Sequence, residues 1–290
     1  MNLLYFLRLV RWPNLLIILF LHLLIAFQLP FVAFSDTLFW CMTGGTILIA
    51  GAGNIINDLL DYELDIVNKP ARVIIHRFVS HQVAWNYYFG LNILALAAAV
   101  AIQNNFLIIV FLLAILLLGA YAFWLKKSLL LGNLVVSLLC AWILVNFWWL
   151  YYPALSVLWQ STLLFFASFA FGATWARELL KDLEDAKGDE LYHAKTVPIV
   201  WGKNNTLLLT QIILFCVLVV LLVLALFLYT CTLYWAIAYT LLILIPSLLY
   251  LMLRIHKLSR LSVVAPTDYH VCSSYLKWYF LLGICCLFFI

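Results

Sequence analysis

Charge is scarce in this 290-residue chain: Asp, Glu, Lys and Arg together make up 10% of it. With 68% of its residues hydrophobic it has too little polar surface to face water all round, which excludes an ordinary soluble globular protein. Long polar stretches are missing too, so no segment outside the apolar runs suffices for a second domain, and low-complexity sequence is absent. The seven cysteines (41, 140, 216, 231, 272, 285, 286) lie scattered in apolar runs without metal-ligand spacing and read as small buried hydrophobes. The first apolar run follows Arg8 and Arg11 but has no small-residue cleavage site after it, so it reads as a retained helix and not a signal peptide.

What the chain has in abundance is apolar runs. Mean hydropathy is +1.12, and crossing about 30 Å of hydrocarbon takes about 20 residues of helix. Runs of that length recur at 13–34, 38–58, 81–103, 105–125, 129–150, 155–177, 205–228, 232–252 and 271–290. The expected fold is therefore all-α, a polytopic membrane protein of nine transmembrane helices in a single domain over 1–290.

The few charges are distributed unevenly. With nine spans, all 16 Lys and Arg fall on one side, and the opposite loops, around Ser35, Gln103, Pro153 and Thr230, hold none. The positive-inside rule makes that side cytoplasmic. The expectation is an integral protein of the cytoplasmic (inner) membrane, its N-terminus inside and its C-terminus outside. Every Asp and Glu except Asp36 shares the basic side. The net charge of +4 thus encodes orientation and counter-charge for an anionic ligand; it does not point to nucleic acid.

Two acidic rows stand out against this background. The stretch from Asn54 reads N-I-I-N-D-L-L-D-Y-E-L-D-I-V-N-K-P-A-R and leaves an apolar segment bearing Gly44, Gly45, Gly51 and Gly53. Asn57, Asp61 and Asp65 are spaced i, i+4, i+8, with Asp58 one step round, so a helix presents them on one face. The stretch from Arg177 reads R-E-L-L-K-D-L-E-D-A-K-G-D, and its Asp182, Asp185 and Asp189 are spaced i, i+3, i+7, again one face. Stacked carboxylates repel one another, and the usual remedy is a hard divalent cation with oxygen ligands. Mg²⁺ is the one that keeps waters and takes phosphate oxygens as further ligands. Two such rows, each at the same kind of helix end, suggest one composite site.

The remaining polar residues are fewer. His22 lies in an apolar run and reads as a satisfied or pore-lining histidine rather than a ligand. The loop 66–80, with Pro70, Arg72, His76 and Arg77, is amphipathic enough to cap the site. Lys126 and Lys127 end the fourth span, either as orientation charges or with one of them reaching back to a diphosphate. The fifth span carries Asn133, Asn146 and the pair Trp148 and Trp149, which fit an interfacial belt. The loop 183–204 reads as an ordered connection with Pro198 starting a turn. Spans seven to nine read as featureless leucine-rich helices, and 254–270 as a solvated or interfacial loop.

Carboxylates at a membrane are costly, at least about 2.5 kcal/mol each at mid-bilayer. Six in two rows argue for function, whereas Glu63, Glu184 and Glu190 lie off the rows and read as solvated charges. Asp residues holding Mg²⁺, with basic residues beside them, suit a diphosphate. If that ligand is a prenyl diphosphate, its tail belongs in the apolar interior.

These residues resemble the UbiA superfamily of intramembrane prenyltransferases. The resemblance rests on Asn57, Asp58, Asp61 and Asp65 followed by Asn68-Lys69-Pro70 and Arg72, on Lys181, Asp182, Asp185 and Asp189, and on the later T-V-P-I-V-W-G. It implies nine helices around a central cavity, a cytoplasmic cap, and two motifs binding Mg²⁺ and a prenyl diphosphate. Position by position, Asn57, Asp61 and Asp65, with Asp58 adjacent, form the first metal set, and Asp185 and Asp189 with Asp182 the second. Asp61, Asp65, Asp185 and Asp189 are then the catalytic core. Asn57, Arg72, Lys126, Lys127 and Lys181 are the diphosphate contacts.

Two departures accompany the likeness. Arg72 is followed by Val73 where a Pro and a Ser-Gly stretch are common, and Arg177 stands where many relatives carry Tyr. The wording D-Y-E-L-D-x-x-N-K-P and R-E-L-L-K-D-L-E-D-x-x-G-D is similar to the branch that makes digeranylgeranylglyceryl phosphate, which alkylates a lipid alcohol. The implied reaction is Mg²⁺-dependent prenyl transfer, with a polyprenyl diphosphate, a lipophilic acceptor and membrane lipid as partners and no obligate protein partner. An aromatic acceptor of quinone synthesis is the alternative. A cation transporter is the remote one, since transport predicts carboxylates near mid-span and on both sides of the membrane.

Overall fold

The computed structural model describes residues 3–29, 36–68, 70 and 73–290. Arg72 and Lys69 lie outside the described residues, as do Ser35 and the end of the expected first span. The described residues are helical almost throughout, and their β pairing is one isolated bridge between Ile75 and Val79. Eight of their helices are long and apolar enough to cross a membrane, nine if the bent pair Leu3–Leu9 and Trp12–Gln28 counts as one span. The all-α polytopic expectation agrees with this.

The chain forms two compact units that meet in sequence between Lys126 and Lys127. In the first unit, α1 (Leu3–Leu9) and α2 (Trp12–Gln28) are bent by 68°. Arg11 sits at the bend in the left-handed region (φ 55°), and Pro13 starts α2, where its missing N–H costs nothing. Next come α3 (Thr37–Leu60), α4 (Tyr62–Asn68), α5 (His81–Ala101) and α6 (Asn105–Phe123). Side-chain caps start three of these: Asp36 on the Leu38 N–H, Ser80 on Val83 and Asn104 on Leu107. The α3 helix packs against α2, α5 and α6. A Cβ at Gly45 would overlap the Phe111 ring, so the missing side chain is what lets α6 approach.

In the second unit, α7 (Leu131–Tyr151), α8 (Val157–Leu191), α9 (Val197–Thr230), α10 (Tyr234–Tyr239), α11 (Ile245–Arg260) and α12 (Pro266–Cys286) follow one another. The α8 helix packs against α7, α9 and α12. Between α10 and α11 runs a π-helical turn, Thr240–Leu244, just ahead of Pro246, whose ring cannot continue an α-helical hydrogen-bond ladder. Neighbouring helices satisfy carbonyls around this break: Tyr279 donates to Leu244 O (3.1 Å), Tyr275 to Ser247 O (3.1 Å) and Gln211 to Met252 O (2.7 Å). Leu242 and Trp235 lie 74% and 78% exposed, an outer surface for lipid contact that water would not tolerate.

Several helix boundaries differ from the sequence reading. The α8 helix continues to Leu191 and α9 begins at Val197, so 183–204 is mostly helix and Pro198 opens α9 instead of a turn. Likewise α11 runs to Arg260 and α12 starts at Pro266, which leaves only 261–265 of the expected loop. Spans seven to nine are not featureless: besides the π turn, Gly202 interrupts α9 at φ 79°, ψ 165°, a region that is essentially glycine-only. The first acidic row is not one continuous helix either. Asp61 is the C-cap of α3, and α4 begins at Tyr62 with Glu63 and Asp65 in its first turn, where helix-dipole electrostatics favour acids.

Candidate functional site

The first row belongs to the first unit. Its spacing survives the break, because Asp61 N–H donates to Asn57 O (2.9 Å) and Asp65 N–H to Asp61 O (2.8 Å). Asn57, Asp61 and Asp65 therefore step up one turn at a time. Two cations meet the carboxylates from distant sequence. Lys126 Nζ, from the short turn after α6, donates to Asp61 Oδ1, with only 11% and 12% of the two side chains exposed. Arg11 Nη2 donates to Asp58 Oδ1 at 2.6 Å. Asn54, three residues before Asn57, anchors the bend that carries Arg11 by donating to Val10 O at 3.0 Å.

Asn57 Oδ1 is buried and has no hydrogen-bond partner among the described residues. A buried amide oxygen left unpaired costs roughly 1–3 kcal/mol. It is a neutral oxygen ligand one turn from Asp61, so this donor set, all oxygen, suits a hard divalent cation such as Mg²⁺. Among the described residues no three His, Cys, Asp or Glu converge as a metal cluster. The carboxylates instead face basic, amide and hydroxyl donors.

The second row belongs to the second unit and lies in the C-terminal part of α8. Asp182 Oδ2 accepts from Asn133 Nδ2 of α7 at 2.8 Å. Asp189 Oδ2 accepts from Thr196 Oγ1 at 3.0 Å. The backbone explains the second contact: His193 adopts φ 54°, Ala194 N–H donates to Asp189 O and His193 N–H to Glu190 O, a Schellman ending that folds Thr196 back. Asp185 lies half-buried between them. Lys181 Nζ donates to Glu178 Oε2 at 2.8 Å, and Arg177 Nη1 donates to Glu178 Oε1 at 2.8 Å.

Of the expected phosphate contacts, Lys126 joins the first row. Lys127 begins the second unit, its carbonyl accepting from the Lys195 N–H at 2.9 Å. Sequence reasoning gave Arg11 only an orientation role, placed neither Glu178 nor Thr196 in the site, and noted Asn133 without using it. The available signal was a polar residue in or beside an apolar run, Arg11 ahead of Trp-Pro and Asn133 within α7. His22 Nδ1, one of the two ring nitrogens, shares a hydrogen bond with Thr43 Oγ1 (2.9 Å).

Comparison with known proteins bears on the chain as a whole. A digeranylgeranylglyceryl phosphate synthase of Thermococcus sibiricus is 38% identical over 155 residues, 53% of each chain. The synthase of that name from Methanothermobacter thermautotrophicus is 39% identical over 153 residues, 52% of each. The chain spans about half the length of the curated relatives it matches. Among solved structures, one reported as giving structural and mechanistic insights into digeranylgeranylglyceryl phosphate synthase in membranes superposes with a TM-score of 0.68. Its identity is 21%, and the match covers 98% of this chain and 96% of that one. A UbiA homolog from Archaeoglobus fulgidus bound to GPP and Mg²⁺ gives a TM-score of 0.64 at 16% identity, covering 98% and 99%. These likenesses show a shared fold. The profile of the UbiA prenyltransferase family matches residues 14–266, so the two Asp rows sit inside that match and the chain belongs to the UbiA prenyltransferase family.

Proposed function

We propose that this protein transfers a prenyl group from a polyprenyl diphosphate, geranylgeranyl diphosphate by preference, to the hydroxyl of an isoprenoid glycerol phosphate. The observation that carries the reading is Asn57 Oδ1, buried and unpartnered one turn from an Asp61 that is already matched to a cation. Family membership and the named relatives support it. Asn57, Asp58, Asp61 and Asp65 in one unit, and Asp182, Asp185 and Asp189 in the other, would hold Mg²⁺. Arg72, Lys126, Lys127 and Lys181 would contact the diphosphate. Residues 1–290 act as a single prenyltransferase domain, with both rows on the cytoplasmic side under the positive-inside rule.

When bound, Mg²⁺ would supply charge neutralisation for the leaving diphosphate. Lys126, and in the other unit Lys181, would add fixed positive charge to offset the negative charge that grows as the allylic C1–O bond breaks and its electron pair leaves with the diphosphate. The acceptor oxygen then bonds to C1 and gives up its proton to the departed diphosphate. An apolar, aromatic-rich lining would keep water from taking the acceptor's place, and aromatic faces would favour positive charge at C1. No protein nucleophile is required.

The test is to incubate the purified protein in detergent with Mg²⁺, geranylgeranyl diphosphate and a panel of acceptors. The expected product is a prenylated glycerol phosphate lipid. Prenylated hydroxybenzoate or naphthoate in its place would replace this acceptor with the aromatic one.

A further inference from the structure

We propose that Arg177, held together with Lys181 on the buried carboxylate of Glu178, forms a phosphomonoester subsite that recognises the acceptor's phosphate. This rests on the prenyl-transfer reading given above. Glu178 is 5% exposed and divides its two oxygens between Arg177 and Lys181, each at 2.8 Å. Two cations on one carboxylate leave an excess positive charge at this turn of α8, while Asp182, Asp185 and Asp189 make the following turns acidic. The Arg177 Nε–H is buried and meets no acceptor among the described residues. A buried, charged donor without an acceptor calls for an anion in the working state.

Geometry separates this anion from the diphosphate. Arg177 precedes Asp185 by eight residues, about 12 Å of helix rise. Side chains on a helix lean toward its N-terminus, so Arg177 leans away from the Asp row. Lys181 lies beside Asp182 and can serve the diphosphate, whereas Arg177 is placed to meet a second phosphate one turn farther along. Glu178 acts as a positioning residue, holding the guanidinium fork still so that its remaining N–H groups face a tetrahedral oxyanion.

The experiment uses the full chain in detergent and compares wild type with Arg177→Gln, Arg177→Lys and Glu178→Gln. Binding of the geranylgeranylglyceryl phosphate acceptor is followed by intrinsic fluorescence without donor, and steady-state kinetics are run with the acceptor and its dephosphorylated alcohol. Arg177→Gln should weaken acceptor binding and raise acceptor KM by at least about tenfold. It should leave the diphosphate KM within about twofold and abolish the preference for the phosphorylated acceptor. Arg177→Lys, which keeps the charge that Glu178 needs, should fall between, and Glu178→Gln should raise acceptor KM by loosening the fork. Inorganic phosphate should compete with the acceptor in wild type only. Added phosphatidylglycerol competing more strongly than the acceptor's own phosphate would assign the subsite to bulk lipid and overturn the proposal. Unchanged acceptor binding in Arg177→Gln would overturn it, and so would a diphosphate KM that rises in step. Arg177-dependent binding in a wild type that transfers no prenyl group would uphold the subsite while removing the reaction.

Discussion

Lys126 closes on Asp61 across 65 residues of sequence, an ion pair with barely a tenth of either side chain exposed. Breaking such a pair from one side leaves a buried charge alone, which costs about 3–5 kcal/mol. Asp61→Ala should therefore both abolish turnover and lower the thermal midpoint. Asp61→Asn keeps an oxygen for the ammonium but not its counter-charge, so it should melt between Asp61→Ala and wild type yet lose at least about a hundredfold in kcat. An Asp61→Asn protein with full kcat would remove Asp61 from the metal set.

Asn133 holds Asp182 by donating its amide N–H to a buried carboxyl oxygen, a contact worth roughly 0.5–1.5 kcal/mol. Outer-shell partners of this kind tune metal affinity by about 10–100-fold. Asn133→Ala should raise the Mg²⁺ concentration for half-maximal activity by about tenfold, with less effect on the maximal rate at saturating Mg²⁺. Magnesium titrations that superimpose on wild type would reduce Asn133 to a packing residue.

Chelation offers a second handle on the metal. EDTA should abolish transfer and Mg²⁺ restore it. The stability readout is independent of turnover: a ligand at a hundred times its Kd adds about 2.7 kcal/mol to the folded state. Mg²⁺ with geranylgeranyl diphosphate should raise the melting midpoint, and Asp61→Asn should blunt that rise. An equal rise in both proteins would place the ligand elsewhere.

Backbone strain supplies a pair of opposite outcomes. Gly202 occupies a region closed to residues with a Cβ, so Gly202→Ala should destabilise by about 1–3 kcal/mol. His193 occupies the left-handed C′ position of α8 at φ 54°, where glycine is preferred. His193→Gly should stabilise by up to about 1 kcal/mol without loss of activity. Thermal melts in one detergent compare them directly, and the same sign for both changes would refute the argument.

The acidic rows were legible because carboxylates at fixed helical spacing are conspicuous in an apolar chain. Hydropathy also located the long helices, but it stopped where polarity began. It reports the solvent around a helix, whereas backbone hydrogen bonds continue past the bilayer edge, as in α8 to Leu191 and α11 to Arg260. The break at Asp61 was hidden because its i−4 hydrogen bonds persist on both sides. The partners were beyond reach for another reason. Arg11 meets Asp58 47 positions away and Asn133 meets Asp182 49 away, and one sequence contains no record of which distant residues touch.

The π turn at Thr240–Leu244 has a consequence for the register of this span. Such a turn accommodates one residue more than an α-helix would, as though a single position had been inserted and absorbed locally. Deleting one residue within 240–244 should tighten the turn to α-helical spacing, with the Pro246 hydrogen bond still missing, and leave Tyr250, Arg254 and Lys257 facing the same way. A deletion of equal size in α8 would have no slack to draw on and would rotate everything beyond it by about 100°.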